Sequence, residues 1–122
     1  MEDQPPIRIN TEGVRLTRDE ASELAEELKR QLRNGQRPKT DERNIQLMVA
    51  GLGDSRGLLR RTFSEGLGVV GKAALPALRS ALLTNANVTV RRAAAKTLKL
   101  VGDPSALPDL LKALINDPDP VV

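Results

Sequence analysis

Apolar residues recur at helical spacing along most of the chain. In TRDEASELAEELKRQLRNG (17–35), Ala21, Leu24, Ala25, Leu28 and Leu32 form one narrow stripe, and the other faces are charged. That spacing predicts an amphipathic helix that packs on one partner. Thr17 and Glu20 read as a capping box. Asp19, Glu20 and Glu23 suit the positive end of a helix dipole, and Lys29, Arg30 and Arg33 the negative end. Asn34-Gly35 is a stop signal. Upstream, residues 1–6 read as disordered. IRINTEGVRL (7–16) alternates apolar and polar residues around a turn at 10–13, which permits a small hairpin or an extended coil docked on a helix. Residues 1–16 are therefore expected to be a flexible or extended segment, and 17–35 a capping helix. After the linker QRPKT, DERNIQLMVAGL (41–52) places Ile45, Met48, Val49 and Leu52 on one helical face.

The rest of the chain repeats itself. LLRRTFSEGLGVVGKAALPALRSALLTNAN lies over TVRRAAAKTLKLVGDPSALPDLLKALINDPD. Arg60-Arg61, Leu67 and Gly71 match Arg91-Arg92, Leu98 and Gly102 at a separation of 31. Leu75-Pro76, Leu78, Leu82 and Asn85 match Leu107-Pro108, Leu110, Leu114 and Asp117 at 32. The extra residue falls after the glycine, in a loop. Two helical segments in such a period predict a helical solenoid. Helix A runs to Gly71 or Gly102 as a C-cap. Helix B opens at Leu-Pro, where proline in a first turn costs little. A partial earlier copy aligns Asp54 with Asn85 and Arg60 with Arg91. The helix at 41–52 then acts as a helix B, and the charged helix before it as a polar end cap. The fold class is all-α, a helical solenoid over 41–122 with no significant sheet.

Asp54, Asn85 and Asp117 recur at the turn, with Arg60 and Arg91 six residues after the first two. The favoured reading is structural. The turn Asp or Asn caps the next helix A, and the arginine stem lies along the neighbour with its head on a turn carbonyl or carboxylate. Arg61 and Arg92, with Lys96 and Lys99, are the candidate surface for a partner or an anion. Lys96, Lys99, Arg79 and Lys112 also read simply as solvated faces. At the other end of the chain, Asp119 is the counterpart of Asn87 and Val122 of Val90. The expectation is a fragment of a longer solenoid, truncated at its C-terminal side. Its last helix pair would then keep an uncovered apolar face, through which the chain could self-associate.

Composition removes whole classes of chemistry. There is no His and no Cys, so Ser-His-Asp, Cys-His and His or Cys metal sites are excluded. Phe63 is the only aromatic, so the core is aliphatic and no series of bases could stack. The net charge of +3 is modest, and the excess cations sit after residue 43. GLGVVG (66–71) has no strand before it and is no nucleotide loop. The DPDP turn carries too few ligands for calcium. No stretch reaches the ~18 apolar residues of a membrane span, and the acidic, proline-bearing start lacks a signal-peptide layout. The expected location is cytoplasmic.

Val-Arg-Arg-Ala-Ala-Ala (90–95), then Leu98, Gly102-Asp103 and Ala106-Leu-Pro-Asp-Leu-Leu, resemble a HEAT-like repeat of phycobilisome lyase proteins from cyanobacteria. That group includes two-subunit bilin lyases of the E/F type and a phycobilisome-degradation protein. The resemblance covers about 44–122. It implies a right-handed superhelix whose helices line a concave surface, which in the lyases binds phycobiliprotein and handles an open-chain tetrapyrrole. No catalytic residue carries over. The leading function is a protein-interaction scaffold with a protein partner, a phycobiliprotein on the strength of the resemblance. The alternative is bilin lyase or bilin-detaching activity, with phycocyanobilin as ligand and its propionates on Arg61 and Arg92. Nucleic-acid binding along the basic strip is the lesser alternative. No cofactor is expected otherwise.

Overall fold

The computed structural model describes residues 14–122, and the segment expected to be flexible or extended lies almost wholly outside them. Among the described residues there are six α-helices and no strand. Helix α1 is Arg18–Arg33, α2 Glu42–Gly51, α3 Gly57–Val70, α4 Leu75–Thr84, α5 Val88–Val101 and α6 Leu107–Asn116. Short 3₁₀ turns, Gly71–Ala74 and Pro104–Ala106, precede α4 and α6. The link from α3 to α4 spans 71–74 and that from α5 to α6 spans 102–106, one residue longer, which is where the repeat changes its spacing.

The helix ends follow local chemistry. At the start of α1 the Thr17 N–H donates to Glu20 Oε1 (2.8 Å), and the Glu20 N–H donates to Thr17 Oγ1 (3.1 Å). The capping box thereby satisfies two of the first-turn donors. Asp41 Oδ2 accepts the Asn44 N–H at the start of α2. Helices α3 and α5 stop at Gly71 and Gly102, with φ of 74° and 71°, conformations that side chains with a Cβ resist.

The helices form two rows. Helices α1, α3 and α5 pack side by side in one row, α2, α4 and α6 in the other, with α2 against α3 and α4 against α5 between rows. Helix α1 thus takes the place of a helix A at the upstream end. The core lies between the rows: Met48 and Val49 of α2 with Leu52 at its C-cap, Phe63 and Leu67 of α3, Leu78 and Leu82 of α4, and Ala94 and Leu98 of α5 are all sealed from water. Each large aliphatic there contributes about 1.5–3 kcal/mol relative to an exposed position.

Two glycines let helices approach closely. The Phe63 ring lies on Gly51, and a Cβ there would overlap its Cδ2. A Cβ on Gly66 would stand 2.7 Å from Leu28 Cδ2, so α1 seats on α3 at that glycine. At the position equivalent to Gly66, α5 carries Thr97, fully buried. Its hydroxyl donates to the Ala93 carbonyl (2.7 Å), so Ser64 of α3 is the donor in the 2.7 Å contact between the two hydroxyls.

Within Gly57–Thr84 an 18-residue window with a mean hydropathy of 1.3 is apolar enough to cross a membrane by length and composition alone. Leucine and valine set that average, while Lys72 and Arg79 interrupt any continuous apolar run. The turn at Gly71 sends its two halves into different rows.

Gly51→Ala should lower stability by about 1–3 kcal/mol, because the Phe63 ring has no free space to move into. Gly35→Ala meets nothing within 4 Å and pays only for φ of 71°, about 1 kcal/mol. Urea denaturation followed by circular dichroism at 222 nm checks the order of the two.

Candidate interaction surface

The turns that follow α2, α4 and α6 share one hydrogen-bond pattern. The side chain of the first residue accepts the backbone N–H two residues on. Asp54 Oδ1 accepts from Arg56 N (2.8 Å), Asn85 Oδ1 from Asn87 N (2.9 Å) and Asp117 Oδ1 from Asp119 N (2.8 Å). These are Asx turns, built because a short polar side chain can mimic a backbone turn. An arginine six residues on then closes each of the first two turns. Arg60 Nη1 donates to the Asp54 carbonyl (2.6 Å) and Arg91 Nη1 to the Asn85 carbonyl (3.0 Å).

Asp54 and Asn85 therefore do not cap the following helix, contrary to the sequence reading. The N-caps of α3 and α5 are Arg56 and Asn87. Asn87 Oδ1 accepts the Thr89 N–H (2.8 Å). Closing the turn consumes the first side chain, so the cap falls to the residue two positions later. The spacings Asp-x-Arg, Asn-x-Asn and Asp-x-Asp carried that signal.

Arg91 also crosses to the next turn, with Nε 2.8 Å from Asp117 Oδ2. Both side chains are largely buried, so the pair is weakly screened. Arg56 makes a comparable link upstream. Its Nε and Nη2 hold the Asp54 carboxylate at 2.8 and 2.9 Å, Nη1 donates to Ser22 Oγ (2.7 Å), and Nη2 to the Arg18 carbonyl (3.0 Å). It ties the capping helix to the first turn, a role concealed in the sequence because Ser22 and Arg18 lie 34 and 38 positions away. The Arg56 side-chain hydrogen bonds hold the Asp54 carboxyl down to about 2, against an opposing effect of burial. Asp117 is also held low, first by the Asp119 N–H and then by Arg91.

The candidate basic strip divides into unlike members. Arg92 is engaged by Asp119 through two bonds, 2.6 and 2.9 Å, so its charge is largely matched. Arg61 is exposed and only 4.0 Å from Glu65 Oε2. Lys96 and Lys99 are exposed on α5, on the same helical face as Arg92, and neither has an ion-pair partner among the described residues. Glu65 stands on α3 where α5 carries Lys96, which interrupts the positive field. Arg79 is not the solvated side chain expected from sequence. It reaches Asp109 at 2.9 Å and the Ser105 carbonyl at 2.9 Å, joining α4 to the start of α6. Lys112 is exposed on α6.

Two helix rows joined by Asx turns, each closed by an arginine from the following helix, define a helical-repeat scaffold. Residues 45–122 match the family of HEAT repeats, and the chain belongs to that family. It is 50% identical over 103 residues to the bilin biosynthesis protein MpeU of Synechococcus sp. (strain WH8020). The match takes in 84% of this chain and 33% of that protein, so the chain spans about a third of the relative's length. No solved structure matches the chain.

Arg91→Ala should cost about 2–3 kcal/mol, since it removes the arginine donors from the Asn85 carbonyl and from the shielded Asp117 carboxylate. Arg92→Ala, at a wetter pair, should cost clearly less. Chemical denaturation of the two variants checks the ranking.

Acid should loosen the first turn. Asp54 falls from about 3.9 in the unfolded chain to about 2 in the folded one. Its contribution is complete above the unfolded value and is lost as pH falls through about 4 to 2. After allowance for solvent screening it amounts to about 1 kcal/mol. Asp54→Asn keeps the Asx turn, as Asn85 does naturally, and should flatten this part of the acid limb when urea midpoints are compared from pH 6 to pH 2.5.

Proposed function

We propose that this HEAT-repeat chain is a protein-binding scaffold in bilin biosynthesis, with a phycobiliprotein as its partner. The observation that carries the reading is the 50% identity, over 103 residues, to a protein named for bilin biosynthesis. A stack of helices presents an extended face without needing a catalytic group, and such faces bind proteins by area and charge placement. The exposed side of α3 and α5 offers Arg61, Lys96 and Lys99 as cations, with Val69 and Leu100 as exposed apolar neighbours. That mixture suits a protein surface with carboxylates around an apolar centre.

A second reading keeps the same surface and adds the pigment, as a bilin lyase or bilin-detaching protein. The relative's name favours it, and phycocyanobilin propionates could pair bidentately with the exposed Arg61 guanidinium. Arg92 is the poorer candidate, because a ligand would have to displace Asp119.

Size-exclusion chromatography with purified phycobiliprotein subunits, apo and pigmented, tests the first reading. Co-elution is expected, with affinity falling roughly tenfold or more when Lys96 and Lys99 are both changed to Glu. Separate elution from every phycobiliprotein subunit at micromolar concentration removes the reading. Visible absorption and circular dichroism on titration with phycocyanobilin test the second. A red shift or induced dichroism that weakens in Arg61→Ala is the expected result, and an unchanged spectrum counts against a bilin site here.

A further inference from the structure

Leu100 is 61% exposed although it lies on the side of α5 that meets α3. What it lacks is a covering side chain at Gly68. A Cβ there would stand 3.9 Å from Leu100 Cβ, in ordinary contact, with nothing else within 4 Å. Packing gives no reason for this glycine. Gly51 and Gly66 carry a neighbour's side chain against their backbone and Gly71 has a positive φ, whereas Gly68 has neither. A helical glycine lowers stability relative to alanine, and this one also leaves a leucine wet. Val69, at the position of Leu100 one unit earlier, is 40% exposed beside the notch.

Cations surround this spot. The first-row helices run parallel. Between α3 and α5, Ser64 meets Thr97 and Gly68 meets Leu100. Between α1 and α3, Ser22 meets Arg56 and Leu28 meets Gly66. Their C-terminal ends therefore share one edge of the stack. Arg33 of α1, Lys72 just after α3 and Lys99 of α5 are exposed there, with no ion-pair partner among the described residues. Arg37 adds another charge, its Nη2 donating to the Val69 carbonyl (2.9 Å). The Asp103 carboxylate feels Lys72 and is engaged by the Ser105 N–H (2.9 Å). Helix dipoles favour cations at C-termini, but they call for no bare leucine or glycine notch among them.

We propose that this edge seats an acidic amphipathic helix of a partner protein. One large apolar side chain of that helix fills the Gly68 notch against Leu100, and carboxylates on its flank pair with Lys72 and Lys99. Charge complementarity selects the acidic flank, and the notch selects the apolar face. Neighbouring helix axes lie about 8–10 Å apart, so apolar residues about six or seven positions apart on the partner reach Val69 and Leu100 together. The proposal rests on the protein-binding reading but not on the partner's being a phycobiliprotein.

The probe is a fluorescein-labelled peptide of about 18 residues, ~27 Å long as a helix, with leucine along one face and glutamate on both flanks. Titrated with the full chain, its polarisation should saturate with a Kd on the order of tens of micromolar. A peptide of the same composition with its leucines scattered, and one with lysine for glutamate, should each bind roughly tenfold more weakly or worse. Gly68→Leu fills the notch and covers Leu100. It should weaken binding by roughly tenfold or more while the melting temperature holds or rises. Leu100→Ser is the second variant, and Lys72→Glu with Lys99→Glu the charge test; both should weaken binding similarly. Unchanged binding by folded Gly68→Leu or by Leu100→Ser overturns the proposal. Equal binding of the scattered peptide does so too, by reducing the site to charge, as does no binding at about 1 mM chain. Cosedimentation with phosphatidylserine–phosphatidylcholine vesicles without peptide binding would give the edge to a membrane and overturn it. The two readings fail separately. Peptide binding without phycobiliprotein binding leaves this proposal standing, and phycobiliprotein binding that Gly68→Leu does not change removes this proposal alone.

Discussion

A helix of the second row has apolar residues on more sides than its own unit can cover. Everything else in this structure follows from that constraint. Leu75, Leu78, Ala81 and Leu82 of α4 are sealed only because α2 and α5 both lie against the helix. With nearly no aromatics, the chain cannot cover a face with a few large side chains. It relies on close approach instead, through Gly51 under Phe63 and Gly66 under Leu28. Small residues at contact points and medium aliphatics around them give dense packing in which each unit depends on its neighbours.

Stacking also has to fix the angle between units, and the turns do this with polar groups. An aliphatic interface tolerates sliding, whereas an arginine that must reach one carbonyl does not. Arg91 is held to its own turn through the Asn85 carbonyl and to the next through Asp117. Arg56 does the same upstream, between α1 and Asp54. Arg79 and Asp109 add a link between second-row helices. These contacts are partly shielded from water, so they act as positional pins rather than as loosely screened surface pairs. The arginines so used are withdrawn from any binding surface. Arg61, Lys96 and Lys99 stay exposed on α3 and α5.

Much of this was legible in the sequence. The capping box at Thr17, the glycine stops at 71 and 102 and the Leu-Pro starts are local signals, each with a local physical cause. The repeat itself located the turns and singled out Arg60 and Arg91. The division of the arginines was harder to read. Arg61 and Arg92 occupy equivalent positions, yet Arg92 is neutralised because Asp119 lies in the following turn, while Arg61 faces only Glu65 on its own helix. Arg56 and Arg79 were misjudged or passed over because their partners, Ser22 and Asp109, lie on other helices 34 and 30 positions away.

The sequence by itself determined the elements and their order, since helix propensity, capping and the apolar period act within a few residues. It also determined the class of architecture, because a repeated amphipathic pair has no other way to cover itself. Tertiary structure alone decided which charges are spent inside the stack and which face water, which glycines are contact points, and which apolar face is left bare. Those outcomes depend on distances between side chains brought together by packing, and two identical sequence positions separate as soon as their neighbours differ.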